Sequence, residues 1–248
     1  MNWRVGELGR GVADGLLAVL LAPACAACER PLEEPTRGAV CASCWAAILP
    51  ITPPVCERCG DPLPSWRVIS LEQARCPRCR RRRGSVTRSR AIGPYEGSLR
   101  AIVHALKYDG RRQLARPLGE RLAETGDSVL KGADVIVAVP LHRSRRRARG
   151  FNQAAEIARH LGPPVTPALR RLRATPSQTD LPAARRHANV RDAFALARGA
   201  SVAGATVVLV DDVSTTGATL EACARVLLDA GAREVRALTA ARVVSRPR

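Results

Sequence analysis

The segment from Val207 to Leu220 constrains the fold of this chain most strongly. It reads Val-Val-Leu-Val-Asp-Asp-Val-Ser-Thr-Thr-Gly-Ala-Thr-Leu. Four apolar residues predict a buried strand that leads into two adjacent acids, Asp211 and Asp212, and then into a small loop rich in hydroxyl groups. Because a helical pattern begins right after that loop, its backbone N–H groups can bind a phosphate. The segment therefore suits a sugar phosphate, whose hydroxyl groups can bond to the carboxylates.

From about residue 89 onward, predicted strands alternate with predicted helices. Buried strands are expected at residues 134–140, 205–210 and 235–243, and helices at residues 98–108, 113–124, 151–160 and 217–230. This alternation indicates an α/β fold in which helices cover both faces of a parallel sheet. Ligands of such sheets bind at the carboxyl ends of the strands. We therefore expect the site to lie between the strand exits that follow Val139 and Val210.

The first of these exits is a basic loop, Leu141 to Gly150. It carries five arginines in the seven positions from 143 to 149. Arginine suits a diphosphate because its planar fork bonds phosphate oxygens in pairs. Since five side chains cannot all point one way, we expect one or two to contact a ligand; the alternative is a merely solvated loop. The long polar segment 175–190 is predicted to be a mobile flap over the site.

Eight of the nine cysteines form four Cys-x-x-Cys pairs: Cys25 and Cys28, Cys41 and Cys44, Cys56 and Cys59, and Cys76 and Cys79. Two such pairs can complete a tetrahedral zinc site. The alternative is a set of disulfides in a secreted protein, which the lack of a convincing export signal disfavours. The ninth, Cys223, lies in a helical stretch and is predicted to be a small buried apolar residue.

An internal repeat indicates how the pairs combine. Cys-x-x-Cys-x-x-Pro-Leu begins at Cys25 and recurs 31 positions later at Cys56. This favours tandem modules, in which pairs one and two share one metal and pairs three and four share another. A cross-braced pairing, first with third and second with fourth, is the alternative. Because every ligand would be a thiolate, both zinc ions are predicted to be structural, and they supply much of the folding free energy there.

The charge of the chain favours anionic partners. The 248 residues include 40 basic and 22 acidic ones, for a formal net charge of +18, and such an excess attracts phosphates or nucleic acid. Aromatic residues make up only 3%, which leaves little material for a surface on which bases stack. The arginine run Arg80 to Arg83 is either an anion contact or a solvated linker.

The amino terminus carries the short apolar run Gly15 to Ala22. A signal peptide is conceivable, but apolar residues at helical spacing favour an amphipathic helix over residues 1–22 that packs on the body. No run is long enough to span a membrane, and we expect a cytoplasmic protein. The predicted domains are this helix, a double zinc ribbon over residues 23–84, and the α/β domain over residues 89–248.

Two resemblances narrow the function. The segment Val207 to Leu220 resembles the phosphoribosyl diphosphate (PRPP) signature of type I phosphoribosyltransferases. Together with further elements, it makes the chain resemble the ComF family over nearly its whole length. Those elements are the cysteine pairs, Leu106-Lys-Tyr108, Val139-Pro140, Arg149-Gly-Phe-Asn-Gln153, Gln178, Arg186, Asn189-Val190 and Phe194.

The resemblance implies a role for each part of the site. Asp211 and Asp212 would hold the ribose hydroxyl groups. The 5-phosphate would be wrapped by Thr215, Thr216, Gly217, Ala218 and Thr219. The diphosphate would lie at His142, Arg143 and Arg149, and the flap would supply Gln178, Arg186 and Asn189. Magnesium would accompany PRPP without dedicated protein ligands, because it prefers water and phosphate oxygens.

Two functions follow from the same resemblance. The first is an enzyme, a phosphoribosyltransferase that moves the phosphoribosyl group to or from an unidentified nitrogenous acceptor. The second is a protein that binds single-stranded DNA during DNA uptake. It would have the phosphoribosyltransferase fold but catalyse no defined reaction. The paired acids favour retained ligand binding, since a purely structural sheet has no use for them. The positive charge does not distinguish a diphosphate from a DNA backbone.

Overall fold

The computed structural model describes residues 11, 13–17, 19–63, 74–81, 84–173 and 192–244. The chain forms two compact units, one of Met1–Leu49 with Glu96–Leu114 and one of Pro50–Tyr95 with Ala115–Arg248. This division differs from the predicted boundary at residues 84–89. The third and fourth cysteine pairs belong to the same unit as the sheet.

The strands of the second unit build one parallel sheet and one small antiparallel pair. They are β1 (Ser89–Pro94), β2 (Val135–Ala138), β3 (Leu169–Arg171), β4 (Phe194–Leu196), β5 (Thr206–Ser214) and β6 (Glu234–Arg242). The sheet has the order β1-β6-β5-β2, with every neighbouring pair parallel. Strands β3 and β4 form a separate two-stranded antiparallel sheet. The predicted parallel α/β fold is confirmed.

Among the described residues, the helices with defined bounds are α1 (Ala42–Ala46), α2 (Pro77–Arg81), α3 (Gly97–Tyr108), α4 (Ala115–Thr125), α5 (Asp127–Leu130), α6 (Arg143–Arg149), α7 (Gln153–Ala158) and α8 (Ala218–Asp229). Short 3₁₀ turns occupy Pro35–Arg37 and Arg112–Leu114. Of these labelled helices, α1 and α3 belong to the first unit, and α2 and α4 to α8 belong to the second.

Helices cover both faces of the sheet. Successive strand residues point to opposite faces, and Val207 and Leu209 of β5 join one core cluster with the buried face of α8 and with the β3–β4 pair. On the other face, α4 and α7 pack on each other and on the strands. Cys223 of α8 is fully buried in the first cluster, where burial raises the pKa of its thiol. The prediction of a small buried apolar residue is confirmed.

Two elements differ from their sequence-based predictions. Strand β5 continues through both acids to Ser214, because β6 extends beside it as far as Arg242 and supplies hydrogen-bonding partners. The predicted basic loop contains helix α6. His142 caps its first turn, and Gly150, with a φ of 78°, ends it in the left-handed conformation that glycine adopts at helix ends.

In the first unit, the described residues between 11 and 21 are helical. Leu16 and Val19 are 58% and 83% exposed, so the prediction that this helix buries an apolar face is not confirmed for these two positions. Val5, Leu8 and Val12 lie outside the described residues. Within the part of the chain that the structure describes, no helix combines the length and apolar content needed to cross a bilayer.

Candidate functional site

The eight paired cysteines assemble into two tetrads. One consists of Cys25, Cys28, Cys41 and Cys44, and the other of Cys56, Cys59, Cys76 and Cys79. Within each tetrad, all four sulfur atoms lie within 4.8 Å of one another. The tandem pairing was therefore the correct prediction, and the cross-braced alternative was wrong.

The sulfur spacing fits zinc. The Sγ atoms of Cys28 and Cys41 are 3.9 Å apart, and those of Cys59 and Cys76 are 3.7 Å apart. A tetrahedral zinc with Zn–S bonds of about 2.3 Å places its sulfur atoms about 3.8 Å apart, whereas a disulfide needs about 2.05 Å. Four thiolates close the coordination sphere, which fits a structural rather than a catalytic metal.

The strand exits after Val139 and Val210 lie side by side. Strands β2 and β5 are neighbours, with Ala138 opposite Val210, and the backbone N–H of Val139 donates to the carbonyl of Val210 at 2.9 Å. Because only residues 139–142 separate β2 from α6, the basic helix begins near the point where β5 leaves the pairing with β2. This arrangement is the edge at which parallel sheets bind ligands.

The two acids lie on opposite faces of β5, since they are consecutive strand residues. Asp212 is only 5% exposed, and its carboxylate accepts a hydrogen bond from Nε2 of Gln153, the first residue of α7. The Oε1 atom of Gln153 in turn accepts from Nη1 of Arg149 at 2.7 Å. A chain of Arg149, Gln153 and Asp212 therefore joins the basic helix to the acid pair.

Asp211 is half-buried on the other face of β5. Its Oδ1 atom accepts from the backbone N–H of Asp212 at 2.9 Å. The guanidinium of Arg171 in β3 lies close enough to interact with the negative charge of Asp211. Burial lowers the pKa of the Arg171 guanidinium, nearby Arg145 lowers it further, and Asp211 opposes both effects. Two arginines and one carboxylate thus leave an excess of positive charge near Asp211, which suits an anionic ligand.

Among the arginines of α6, position on the helix decides which ones face the protein. Arg145 and Arg149 are four residues apart, share a helix face and are half-buried, whereas Arg143 is exposed. His142 serves as the helix cap, with its Nδ1 accepting from the backbone N–H of Ser144 at 3.3 Å. Arg149, which was predicted to contact a ligand, and Arg145, which was not, are therefore the two arginines of this helix whose side chains are partly covered.

The loop of residues 215–217, here called the Thr-Thr-Gly loop, joins β5 to α8. Gly217 has a φ of 77°, a conformation that glycine adopts without strain. Oγ1 of Thr216 accepts from the backbone N–H of Ala218 at 3.4 Å. This geometry brings Thr215, Thr216, Gly217, Ala218 and Thr219 to the amino terminus of a twelve-residue helix, where N–H groups and the helix dipole favour an anion.

The second tetrad adjoins this loop within the same unit. Nη1 of Arg78 donates to the carbonyl oxygen of Thr216 at 3.4 Å, and Nη2 of Arg58 contacts Oε1 of Glu221 in α8 at 2.6 Å. A cavity of about 290 Å³ lies between them. Two buried atoms that line it, Oγ of Ser214 and Nη2 of Arg242, have no hydrogen-bond partner among the described residues. The cavity wall includes polar groups, and the cavity is large enough to hold water that would satisfy these two atoms.

Comparison with known proteins separates a zinc-binding part of the chain from an α/β part. Residues 16–80 match the model of the double zinc ribbon domain, and residues 132–247 match that of the phosphoribosyl transferase domain. The DNA utilization protein YhgH of Salmonella typhimurium is 32% identical over 221 residues, which cover 85% of this chain and 93% of that protein. Competence protein F of Haemophilus influenzae is 29% identical over 222 residues, with the same coverage. This chain belongs to the ComF family.

A solved structure, the purine phosphoribosyltransferase of Pyrococcus horikoshii, is 22% identical to this ComF chain. Its alignment covers 53% of this chain and 75% of that protein, with a TM-score of 0.32.

Three predicted site residues of the ComF chain, Gln178, Arg186 and Asn189, lie outside the described residues, as do Arg82 and Arg83 of the arginine run. Sequence reasoning missed Gln153 as a site residue, although it ends the Arg-Gly-Phe-Asn-Gln element. Its position four residues after Arg149 was the signal. Arg145 and Arg171 were also missed, and for Arg171 the sequence carries no such signal.

Proposed function

We propose that the second unit binds phosphoribosyl diphosphate with magnesium and transfers its phosphoribosyl group to or from a nitrogenous acceptor. The observation that carries this proposal is the meeting of three elements at one sheet edge. These are the half-buried Asp211, the hydrogen-bonded chain from Arg149 to Asp212, and the Thr-Thr-Gly loop at the start of α8. Together they offer groups for the ribose, the diphosphate and the 5-phosphate.

Each element takes a different part of the ligand. Asp211, which is the more exposed acid, accepts hydrogen bonds from the ribose hydroxyl groups. Asp212 is buried, and it holds Gln153 and through it Arg149 in place. This refines the expectation that both acids contact the sugar. The 5-phosphate binds the N–H groups and hydroxyls of residues 215–219, while Arg145 and Arg149 bind the diphosphate.

The reaction follows from those contacts. When the C1–O bond to diphosphate breaks, the bond's electrons leave with the diphosphate, and positive charge develops at C1. Arg145, Arg149 and Arg171 stabilise the leaving anion, and Asp211 stabilises the developing positive charge. The nitrogen of the acceptor then supplies an electron pair to C1 and gives up its proton to the departing diphosphate, while water is excluded as a competing nucleophile. Magnesium, when bound, would be held mainly by substrate oxygens and water and would neutralise diphosphate charge.

Isothermal titration with PRPP and magnesium tests the binding step. We expect saturable binding by the wild-type chain and a loss of at least about tenfold in affinity in Asp211→Asn, which removes a charged hydrogen-bond acceptor. Asp134→Asn is the matched control, because Asp134 precedes β2 at the opposite end of the sheet. No binding by the wild type at saturating ligand would overturn the proposal. A screen of nitrogenous bases for PRPP consumption then identifies the acceptor.

Binding of single-stranded DNA is the second candidate function. Arg143, Arg146 and Arg147 of α6 are exposed and form a positive surface beside the proposed ligand site. Two relatives are named for DNA utilization and competence, which supports a nucleic-acid partner for this chain as well. Contacts with the DNA backbone would come from this surface.

The salt dependence of DNA binding tests this function. The slope of log affinity against log salt is negative, and each lost phosphate contact reduces its magnitude by about 0.7 for single strands. We expect Arg146→Ser with Arg147→Ser to reduce the magnitude of the slope by about 1.4, in proportion to two contacts. Arg116→Ser with Arg121→Ser on α4 removes the same charge elsewhere and serves as the control. Equal slopes in the two double variants would remove α6 from the DNA-binding surface.

A further inference from the structure

The two zinc modules repeat one backbone turn. We define the first module as residues 25–44 and the second as residues 56–63 with 74–81. In the first, the backbone N–H of Glu29 donates to the carbonyl of Cys25 at 2.9 Å, and in the second, that of Gly60 donates to Cys56 at 2.8 Å. Both turns continue into an isolated antiparallel bridge, Ala24 with Pro31 and Val55 with Pro62. The zinc-binding turn itself is therefore the same.

The side chains on this turn differ at four repeat-equivalent positions, and three of them bear on contacts with the sheet and α8. Where the first module has Ala27, Glu29 and Arg30, the second has Arg58, Gly60 and Asp61. A turn that only holds metal needs none of the second set. Each of these three residues instead contacts the sheet or α8.

Arg58 and Asp61 contact the two elements that flank the Thr-Thr-Gly loop. Arg58 binds Glu221 in the first turn of α8 at 2.6 Å, and its Nε donates to the carbonyl of Val86 at 2.9 Å. Asp61 accepts from Nε of Arg242 at 3.1 Å, in an ion pair whose side chains are almost fully buried. Arg242 is paired with Ser214 in the sheet. Both ends of the loop are thus tied to one knuckle, as a Cys-x-x-Cys turn with the residues that follow it is here called.

Gly60 permits this close approach. A Cβ atom at Gly60 would lie 2.7 Å from the carbonyl oxygen of Ser89, at the start of β1. From the last knuckle, Arg78 reaches the loop itself through the carbonyl of Thr216. The carbonyls of residues in such a loop must turn away from a bound anion, and a guanidinium that holds one of them outward leaves the N–H groups facing the ligand.

We propose that the second zinc module is a positioning element of the phosphate site, through Arg58 and Arg78, so that zinc in the second tetrad is required for tight binding of the 5-phosphate. This rests on the proposed function. Zinc fixes the knuckle, the knuckle fixes the first turn of α8 and the carbonyl of Thr216, and these fix the N–H groups that bind phosphate. The first module is a metal site without this role.

Two probes separate positioning from general stability. Ribose 5-phosphate occupies the phosphate subsite, whereas inorganic diphosphate occupies the arginine subsite. In the full-length zinc-loaded chain, we expect Arg58→Ala and Arg78→Ala to weaken ribose 5-phosphate about tenfold, as the loss of a charged hydrogen bond that orders the loop. Diphosphate affinity should change less than about twofold, because Arg145 and Arg149 are untouched. Arg30→Ala removes the same charge from the first module and should alter neither affinity.

Zinc content is measured in every variant, and Arg58→Lys and Arg78→Lys test rescue by a cation of different shape. Partial recovery of ribose 5-phosphate binding in either lysine variant supports the proposal. Unchanged ribose 5-phosphate affinity in Arg78→Ala, with two zinc ions retained, overturns it while leaving the proposed function intact. Equal losses for both probes also overturn it, because they indicate a general structural effect. If the wild type binds neither probe nor PRPP, the proposed function fails as well.

Discussion

The two zinc modules have the same kind of turn, but more of the cysteine side chains are buried in the second module. Cys28 and Cys41 of the first tetrad are half-buried, whereas in the second only Cys59 is, with Cys56, Cys76 and Cys79 buried. The second module also forms ion pairs with α8 and β6. A repeated sequence thus supplies a metal-binding turn twice, and in the second copy Arg58, Gly60 and Asp61 contact α8 and the sheet of the same unit.

Removal of one metal at a time gives the largest expected effect on this comparison. Cys56→Ser with Cys59→Ser, and separately Cys25→Ser with Cys28→Ser, should each lower the zinc content from two ions to one. A structural zinc supplies on the order of 10 kcal/mol. Loss of the second should therefore free the first turn of α8, and hydrogen exchange at Glu221 should accelerate.

The first-tetrad variant is the control for that measurement, with the same number of serines and the same zinc loss. Its Glu221 amide should exchange at the wild-type rate. Equal acceleration in both variants would show that the two modules contribute alike to the order of α8, and that this role does not belong to the second module alone.

Alanine at the equivalent turn position should have unequal consequences for stability in the two modules. Gly60 has a φ of 71° and Glu29 a φ of 61°. Gly60→Ala adds both left-handed strain and the contact with Ser89, and we expect it to cost about 2–3 kcal/mol of unfolding free energy. Glu29→Ala changes an exposed residue that already bears a Cβ, so its cost should stay within about 0.5 kcal/mol. Urea denaturation measures both losses of unfolding free energy. Similar losses would contradict close packing of the turn at Gly60 in the second module.

The ion pair between Arg58 and Glu221 should give the smallest effect. Both side chains are less than one-third exposed, so a double-mutant cycle with Arg58→Ala and Glu221→Ala should report a coupling of about 1–2 kcal/mol. The exposed pair of Arg116 and Glu120 on α4 is the matched control, with an expected coupling of about 0.3–0.5 kcal/mol. A cycle on Arg58 no larger than the control would remove this contact from the account of the second module.

The sequence predicted features that depend on short spacing or on regular alternation. The 31-residue repeat of Cys-x-x-Cys-x-x-Pro-Leu predicted the tandem tetrads, and the apolar runs around Val137, Val208 and Ala237 predicted the parallel sheet. The site was predicted between the strand exits that follow Val139 and Val210. These exits are adjacent because β2 and β5 are neighbours in the sheet.

Other features depended on contacts between distant residues. Arg58 and Glu221 are 163 positions apart, and no local pattern joins them. Strand β5 continues through Asp211 and Asp212 only because β6 runs beside it, so their separation onto opposite faces was not foreseen. Helix α6 was predicted as a loop because its arginines carry no apolar period, although His142 and Gly150 are ordinary helix boundaries.

The amide of Gln153 keeps two opposite charges apart. Its carbonyl oxygen accepts from Arg149 and its NH₂ group donates toward Asp212, so the neutral side chain is oriented in one direction by its neighbours. One neutral side chain thus links the guanidinium to the carboxylate, with one hydrogen bond to each. The sheet edge therefore presents a cation and an anion in a fixed order to whatever binds there.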